Sequence, residues 1–382
     1  MQGFLGDVGL RTLRGWAANY QGQPPELTVY VNGVACLVFT PSVERADLAC
    51  RFGRSVLGFV VYLGTPLKIG DWVAVATADG THLHGSPIEV TELEGSREEK
   101  ALVLVTREMT ILEIGPALNP IVPCSAGWRS YSLEYASQEE LLEKYRDTLN
   151  VEKIEPVDFI WQSGAIENAV PPELHRTFDV VIASHVVEHF PDPVGFYLSA
   201  AKLLKDGGLV SLVIPDKRFT FDFCKPVSTT SDLLNTHAHG RTRHSKKTAF
   251  DNLAYNVFEH GDMSWNERPL NEFSFPGGNT ALRQAMEIFD SMVEDESVPY
   301  VDFHHTVYTP SSFALNILEL SQLGVIPYTI AQSYPTSDCE FYVTLRKGAV
   351  EMLAPDELTA ERIRLLREII REQAEQARWM DP

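Results

Sequence analysis

Acidic and small residues stand where apolar strands are predicted to end, and such positions bind ligands in α/β sheets. Residues Met109–Gly115 are predicted to form a strand that carries Glu113, and Glu134 closes the next predicted strand, 21 residues after Glu113. A glycine at a strand end lets a cofactor approach the backbone, and an acidic side chain there can hold ribose hydroxyls. A structural turn and a surface carboxylate are the alternative explanations. The predicted cofactor contacts at these two strand ends are Glu113, Gly115, Pro116 and Glu134.

Two further strand ends contribute to the same predicted edge. The third strand ends near Ser163 and Gly164, which could flank an adenine ring, and the fourth, Phe178–Ser184, runs directly into His185. Ligands of open α/β sheets sit beyond the carboxyl ends of the strands. We therefore add Ser163, Gly164, Ser184 and His185 to the predicted cofactor contacts.

The order of these motifs resembles that of the class I S-adenosylmethionine-dependent methyltransferases. The segments are E-I-G-P, an acidic strand end, F-D-V-V-I-A-S-H-V-V-E-H-F-P-D-P and L-L-K-D-G-G, which lie between Glu108 and Pro215. The resemblance resumes in the last helix and two strands before the tail. It implies S-adenosyl-L-methionine as the cofactor. It also implies an α/β fold with a Rossmann-like sheet of seven strands, the last of them antiparallel and formed by Glu340–Arg346.

The glycine-rich turn departs from the pattern that the resemblance implies. The family often has G-x-G-x-G, whereas Ala117 and Asn119 follow Gly115 here. Both residues are small, and asparagine tolerates left-handed backbone conformations, so we expect cofactor binding to persist. The same departure argues against the G-x-G-x-x-G dinucleotide motif, which makes an NAD-dependent dehydrogenase the weaker enzyme alternative.

Methyl transfer to a hydroxyl needs alignment of the acceptor and removal of a proton. A histidine suits the second task because it titrates near neutral pH. His185 lies just past the fourth strand, and Asp216 follows the fifth, so both are predicted to face the acceptor. A packing or capping role for His185 and a salt-bridged loop at Asp216 are the alternatives. The predicted catalytic residues are His185, Asp216 and His304.

The segment after the fourth strand also invites comparison with metal sites. His185, Glu188 and His189 are spaced to share one helical face, and similar E-x-x-E-H segments in ubiquinone-biosynthesis O-methyltransferases bind a divalent metal. Because His185 stands where those segments have Glu, we predict no metal here. The histidines of the later insertion match no standard zinc spacing.

Three segments are predicted along the 382 residues. Residues 1–98 alternate short apolar runs with turns, as in Leu27–Val31 and Val34–Phe39 on either side of an Asn-Gly pair, and this pattern predicts an all-β sandwich. Residues 99–350 alternate strands with helices, which predicts a methyltransferase domain with an insertion at 216–308. Residues 351–382 predict a C-terminal amphipathic helix.

The C-terminal helix carries an apolar stripe that could be used in two ways. It could dock on the surface of its own chain or pair with a second copy in a homodimer. The predicted stripe consists of Ile363, Leu366, Ile370, Ala374 and Ala377.

Composition excludes some functions. A formal net charge of -20 repels phosphate backbones, so we predict no nucleic-acid partner. No apolar run reaches the ~18 residues of a membrane helix, and the five scattered cysteines indicate a reduced, cytoplasmic protein.

The acceptor is the least constrained part of the prediction. Short signals in the front segment, such as Gly15-Trp16-Ala17 and Arg45-Ala46-Asp47, resemble a β-sandwich module of bacterial polysaccharide-biosynthesis proteins. Together with basic residues in the insertion they favour O-methylation of a sugar or glycan-linked small molecule. The alternatives are an aromatic or quinone-like hydroxyl acceptor and a non-catalytic glycan-binding scaffold. The histidines and basic residues of the insertion are His237, His239, His244, His260, Arg241, Arg243, Lys246 and Lys247.

Overall fold

In the computed structural model, the chain forms two compact units, residues 1–104 and 105–382. The structure describes residues 1–91, 95–265, 270 and 272–380. The charged stretch Glu92–Lys100 and the predicted insertion 216–308 therefore lie partly outside the described residues, as does the end of the predicted tail.

The first unit consists of two four-stranded antiparallel sheets, in the orders β1-β2-β6-β5 and β4-β3-β7-β8. Side chains from both sheets, such as Leu13 and Val29, are fully buried in one core. The predicted hairpin is confirmed: Asn32 and Gly33 have φ values of 52° and 80°, as a tight two-residue turn of this kind requires. The elements are β1 Gln2–Val8, β2 Thr12–Ala18, β3 Leu27–Val31, β4 Val34–Phe39, β5 Val43–Glu44, α1 Ala46–Phe52, β6 Val56–Tyr62, β7 Trp72–Ala76, β8 Ile88–Glu89 and α2 Arg97–Ala101.

The second unit is built on a seven-stranded sheet in the order β11-β10-β9-β12-β13-β17-β16. Its strands β9 to β13 pair in parallel, whereas β17 is antiparallel to both of its neighbours. The predicted Rossmann-like sheet with an antiparallel last strand is thereby confirmed. The elements are β9 Ile111–Ile114, β10 Ser130–Glu134, α3 Gln138–Lys144, β11 Phe159–Ile160, β12 Phe178–Ser184, α4 Pro193–Leu203, β13 Leu204–Pro215, α5 Thr230–Ala238, α6 Lys246–Tyr255, β14 Phe258–Glu259, β15 Asp262–Met263, α7 Ala281–Ser291, α8 Pro310–Gln322, β16 Tyr328–Ser337, β17 Glu340–Lys347 and α9 Pro355–Trp379.

Local sequence explains the helix that precedes the last two strands. Thr309 caps α8, its backbone N–H donates to Ser312 Oγ at 2.9 Å, and Pro310 occupies the first helical position. A proline there loses no intrahelical hydrogen bond. Helix α8 then packs Phe313 and Ile317 into the core beneath the sheet.

The C-terminal helix docks on α8 through a different face from the predicted one. Leu365 and Ile369 are buried against Leu315, whereas Ile363 and Ile370 of the predicted stripe are 44% and 64% exposed. The tail carries two overlapping apolar stripes one position apart, so periodicity alone does not decide which one docks. Homodimer formation through the exposed stripe stays a prediction. None of the helices in the described part of the chain has the length and apolar character needed to cross a bilayer.

Candidate active site

A cavity of about 640 Å³ lies at the carboxyl ends of β9, β10 and β12. This is the edge where parallel sheets bind their ligands. Four of the predicted residues line it together, namely Gly115, Glu134, Ser163 and His185. The rest of its wall is aromatic and polar, and it includes Tyr135, Tyr145, Trp161, Phe190, Thr242, Arg243, Tyr300 and Asp302.

The loop after β9 has the backbone shape of a ligand cradle. Gly115 has a φ of +66°, and a Cβ at this position would lie 2.9 Å from Val186 Cγ2. Ala117 also has a positive φ, 39°, in a region that L-residues enter at a cost of roughly 1 kcal/mol. Its N–H donates to Glu134 Oε1 at 2.7 Å. This hydrogen bond fixes the loop in the conformation for which the family often uses glycine.

The two acidic strand residues have different tasks. The carboxylate of Glu113 accepts hydrogen bonds from the N–H groups of Ile121 and Val122, at 2.7 and 3.2 Å, and Glu113 is not among the described residues that line the cavity. Glu134 does line it, and burial raises the pKa of its carboxyl. Glu113 therefore shapes the loop, whereas Glu134 faces the ligand space; direct contact of Glu113 with the cofactor stays a prediction.

The remaining predicted cofactor residues lie at or near the same edge. Ser163 lines the cavity, and Gly164, with a φ of +76°, accepts a hydrogen bond from Trp161 Nε1 through its carbonyl. That bond holds the indole of Trp161 on the cavity wall, stacked on Phe190 at 5.0 Å. Pro116 and Ser184 stand in the loop and at the strand end, but they are not among the described lining residues.

His185 occupies the tip of β12 in a left-handed conformation, with a φ of 52°. Positive φ is uncommon for a residue with a Cβ, and it indicates a backbone conformation that is held by the surrounding contacts. The Nε2 atom of His185 lies 2.6 Å from Glu340 Oε2, and its side chain remains 25% exposed. Glu340 is 6% exposed and is held in turn by the hydroxyl of Tyr342 at 2.6 Å. The arrangement presents an oriented imidazole to the cavity.

The other two predicted catalytic residues are buried outside the described cavity lining. Asp216 is fully buried and receives hydrogen bonds from the guanidinium of Arg218 and, at 2.6 Å, from the hydroxyl of Thr336. His304 is 5% exposed, and its Nδ1 lies 2.5 Å from Asp222 Oδ2. The ion pair of Asp216 with Arg218 agrees with the alternative explanation, a salt-bridged loop. A catalytic role for Asp216 stays a prediction.

The basic residues of the insertion separate into two groups. Arg243 lines the cavity and donates to the carbonyls of Val298 and Thr242. Arg241 and Lys247 instead form ion pairs with Glu294 and Asp251, which neutralise them. Arg241, Lys246 and Lys247 border a separate space of about 350 Å³.

The histidines of the insertion are also divided. His237 pairs with Asp192, and His239 with the carbonyl of Asn235. His244 is buried against the hydroxyl of Tyr300 at 2.9 Å, and His260 has a φ of 53° at a turn. None of these four lines the described cavity.

The sequence patterns did not predict three functional candidates, namely Glu340, Tyr300 and Asp302. Glu340 is the first residue of β17, and an acidic group at the start of a predicted strand is a signal that could have been noticed. Tyr300 and Asp302 lie in a segment without helix or strand. No local periodicity marks them, and only the folded chain places them on the cavity wall.

Comparison with known families finds one match, in the part of the chain that forms the cavity. Residues 99–271 match the model of a family described as a methyltransferase domain. The match covers β9 to β13, which include the three strands whose ends border the cavity. The second unit therefore carries a segment similar to a methyltransferase domain, and this similarity supports S-adenosylmethionine as its cofactor.

Solved structures give only a weak likeness. A protein from Rhodobacter sphaeroides named as a Zn-dependent alcohol dehydrogenase is 12% identical, with 67% of this chain and 92% of that one covered and a TM-score of 0.38. A SAM-dependent methyltransferase from Aquifex aeolicus is 12% identical (66% and 89% covered, TM-score 0.33), and one from Methanosarcina mazei is 11% identical (64% and 95%, TM-score 0.33). No curated protein matches the chain. The resemblance of the front unit to polysaccharide-biosynthesis modules is not confirmed.

The residues present suit the cofactor. The space beside Gly115 would be filled by a Cβ, and the buried Glu134 carboxylate borders it. When bound, S-adenosylmethionine supplies an activated methyl group on a sulfonium. The chain's own tasks are then to hold the nucleoside and to position an acceptor.

Proposed function

We propose that this methyltransferase transfers the methyl group to a hydroxyl of a sugar or glycan-linked small molecule, with His185 as the base that accepts the hydroxyl proton. The observation that carries the proposal is the His185–Glu340 pair, which orients an imidazole at the carboxyl end of β12, on the cavity wall. A carboxylate on one ring nitrogen stabilises the imidazolium that forms when the other nitrogen takes up a proton.

The cavity divides into two halves under this proposal. The cofactor half comprises Gly115, Ala117, Glu134 and Ser163 and holds the nucleoside. The acceptor half comprises His185, Arg243, Tyr300 and Asp302. It offers a cation, a phenol and carboxylate oxygens to a polar ligand.

The polarity of the acceptor half favours a sugar over an aromatic or quinone acceptor. An apolar acceptor pocket would lack charged groups of the insertion, yet Arg243 lines the cavity. The guanidinium of Arg243 makes its described hydrogen bonds to backbone carbonyls, so it keeps its charge for an anionic group such as the diphosphate of a nucleotide sugar.

An acceptor screen tests the proposal. The full chain is incubated with S-adenosylmethionine labelled in its methyl group and with nucleotide sugars, glycan fragments and catechol-type phenols, with and without EDTA. We expect label in the nucleotide sugars or glycans and its loss in His185→Gln. Label confined to the phenols would refute the sugar acceptor, and full activity of His185→Gln would refute the base.

The non-catalytic scaffold is tested separately. Titration calorimetry with S-adenosylmethionine and with S-adenosylhomocysteine should show binding of one equivalent to the full chain. A chain that binds neither compound would be a scaffold and not an enzyme.

A further inference from the structure

Glu188 carries a buried carboxylate that has no hydrogen-bond partner among the described residues. Its side chain is 1% exposed, and neither Oε1 nor Oε2 accepts a hydrogen bond from any described residue. Its backbone is held firmly, because its carbonyl accepts from the N–H groups of His305 and Thr306 at 2.6 and 3.1 Å. Buried polar groups are normally satisfied, and an unsatisfied carboxylate is strongly destabilising. The unsatisfied carboxylate of Glu188 therefore indicates a binding site for a ligand.

His185 Nδ1 lies 3.8 Å from Glu188 Oε1, and two further histidines bring nitrogen atoms to this carboxylate. His189 Nε2 lies 3.8 Å from Glu188 Oε1, and the ring of His304 lies 4.6 Å from that of His189, centroid to centroid, at an interplanar angle of 88°. One potential ligand atom from each of Glu188, His189 and His304 lies within 4.8 Å of the other two. A tetrahedral ion with bonds of about 2.1 Å needs separations of roughly 3.4 Å. Small side-chain rotations would therefore bring the three atoms into coordination.

Each histidine is oriented by a carboxylate of its own. His189 Nδ1 lies 2.7 Å from Asp302 Oδ1, and His304 Nδ1 lies 2.5 Å from Asp222 Oδ2. Lys225 Nζ holds Asp222 at 2.6 Å. Metal-binding histidines characteristically use one ring nitrogen for the ion and the other for a carboxylate. The arrangement leaves Nε2 of both rings for the space beside Glu188.

We propose that Glu188, His189 and His304 bind a divalent transition-metal ion, with Zn²⁺ as its best representative. Two imidazole nitrogens and one carboxylate suit zinc and its neighbours, whereas Mg²⁺ and Ca²⁺ prefer oxygen ligands throughout. His189 also lines the 640 Å³ cavity, which gives the ion a path to the site. The proposal revises the sequence prediction of no metal, because His304 comes from a segment 115 residues after His189.

The proposal is tested by zinc binding to the full chain, independently of methyl transfer. After EDTA treatment and dialysis, wild type, Glu188→Gln and His237→Asn are titrated with ZnCl₂ in a calorimeter, and their thermal unfolding is recorded with and without zinc. His237 is the matched control, since it also pairs through Nδ1 with a carboxylate, that of Asp192, but lies outside the cluster. We expect one equivalent of Zn²⁺ in wild type and His237→Asn, at least 100-fold weaker binding in Glu188→Gln, and no comparable Mg²⁺ binding.

Thermal unfolding separates loss of a ligand from loss of the fold. Without zinc, Glu188→Gln should be at least as stable as wild type, because the substitution removes a buried charge whose oxygens accept no hydrogen bond from the described residues. With zinc, only wild type and His237→Asn should gain stability. Unchanged zinc affinity in Glu188→Gln, absence of binding in wild type, or a preference for Mg²⁺ would each overturn the proposal. Gly115→Arg, designed to block the nucleoside, should still bind zinc. Loss of cofactor binding can therefore be distinguished from loss of zinc binding.

Discussion

The two halves of the cavity are held in place by different kinds of interaction. In the cofactor half, carboxylates accept hydrogen bonds from backbone N–H groups close by in the chain, as Glu134 does from Ala117. In the acceptor half, histidines are paired with carboxylates from remote elements, as His185 is with Glu340. The geometry of the cofactor half therefore depends on contacts within one loop region. The geometry of the acceptor half depends on contacts that form only when the whole unit has folded. Substitutions should accordingly act on cofactor affinity in one half and on turnover or stability in the other.

The largest effect is expected from Gly115→Arg in the cofactor half. The new Cβ would meet Val186 at 2.9 Å, and the side chain would fill the space next to the nucleoside. S-adenosylmethionine binding, measured by calorimetry, should become undetectable while the circular dichroism of the fold persists. Gly207→Arg is the control, because Gly207 has a similar φ of +77° and open space around it. Affinity retained in Gly115→Arg would place the cofactor elsewhere.

His185→Gln should act on turnover and leave cofactor affinity nearly unchanged. Removal of a general base lowers kcat by about 10²- to 10⁴-fold. Glu340→Gln should lower kcat less, since the imidazole remains but loses the carboxylate that orients it. Steady-state kinetics with the acceptor found in the screen measures both, and His239→Gln serves as the control outside the cavity. Equal losses of kcat and of cofactor affinity would show that His185 belongs to the cofactor half.

Glu134→Gln and Glu113→Gln should separate ligand binding from loop shaping. A hydrogen bond to a charged group contributes about 1.5–3 kcal/mol, so Glu134→Gln should weaken S-adenosylmethionine binding roughly 10- to 100-fold without a large change in the free energy of unfolding. Glu113→Gln should lower the free energy of unfolding as well, because Glu113 holds two backbone N–H groups of the loop. Calorimetry and urea unfolding distinguish the two outcomes. The same stability for both variants would mean that both carboxylates serve the ligand.

The two halves also differ in how far the sequence predicts them. Strand ends at Gly115 and Glu134 are marked by local composition. The bounds of β12 coincide with the predicted ones, and β10 ends at Glu134 as predicted. The acceptor half depends on contacts between residues more than 100 positions apart, such as His189 with Asp302. Periodicity carries no information on such pairs. The same limit explains why the docking face of α9 was predicted one position away from the observed one.

His244 provides the smallest and most specific test, in the layer behind the acceptor half. Burial, with a further contribution from the charge of His305, lowers the pKa of His244 to about 3 from its ordinary 6.5. Between these two values the unfolded chain binds a proton that the folded chain does not, so the free energy of unfolding falls as the pH falls. The loss should be about 2 kcal/mol between pH 7 and pH 5. His244→Gln should remove this part of the pH dependence in urea unfolding. An unaltered slope between pH 7 and pH 5 would show that folding does not lower the pKa of His244.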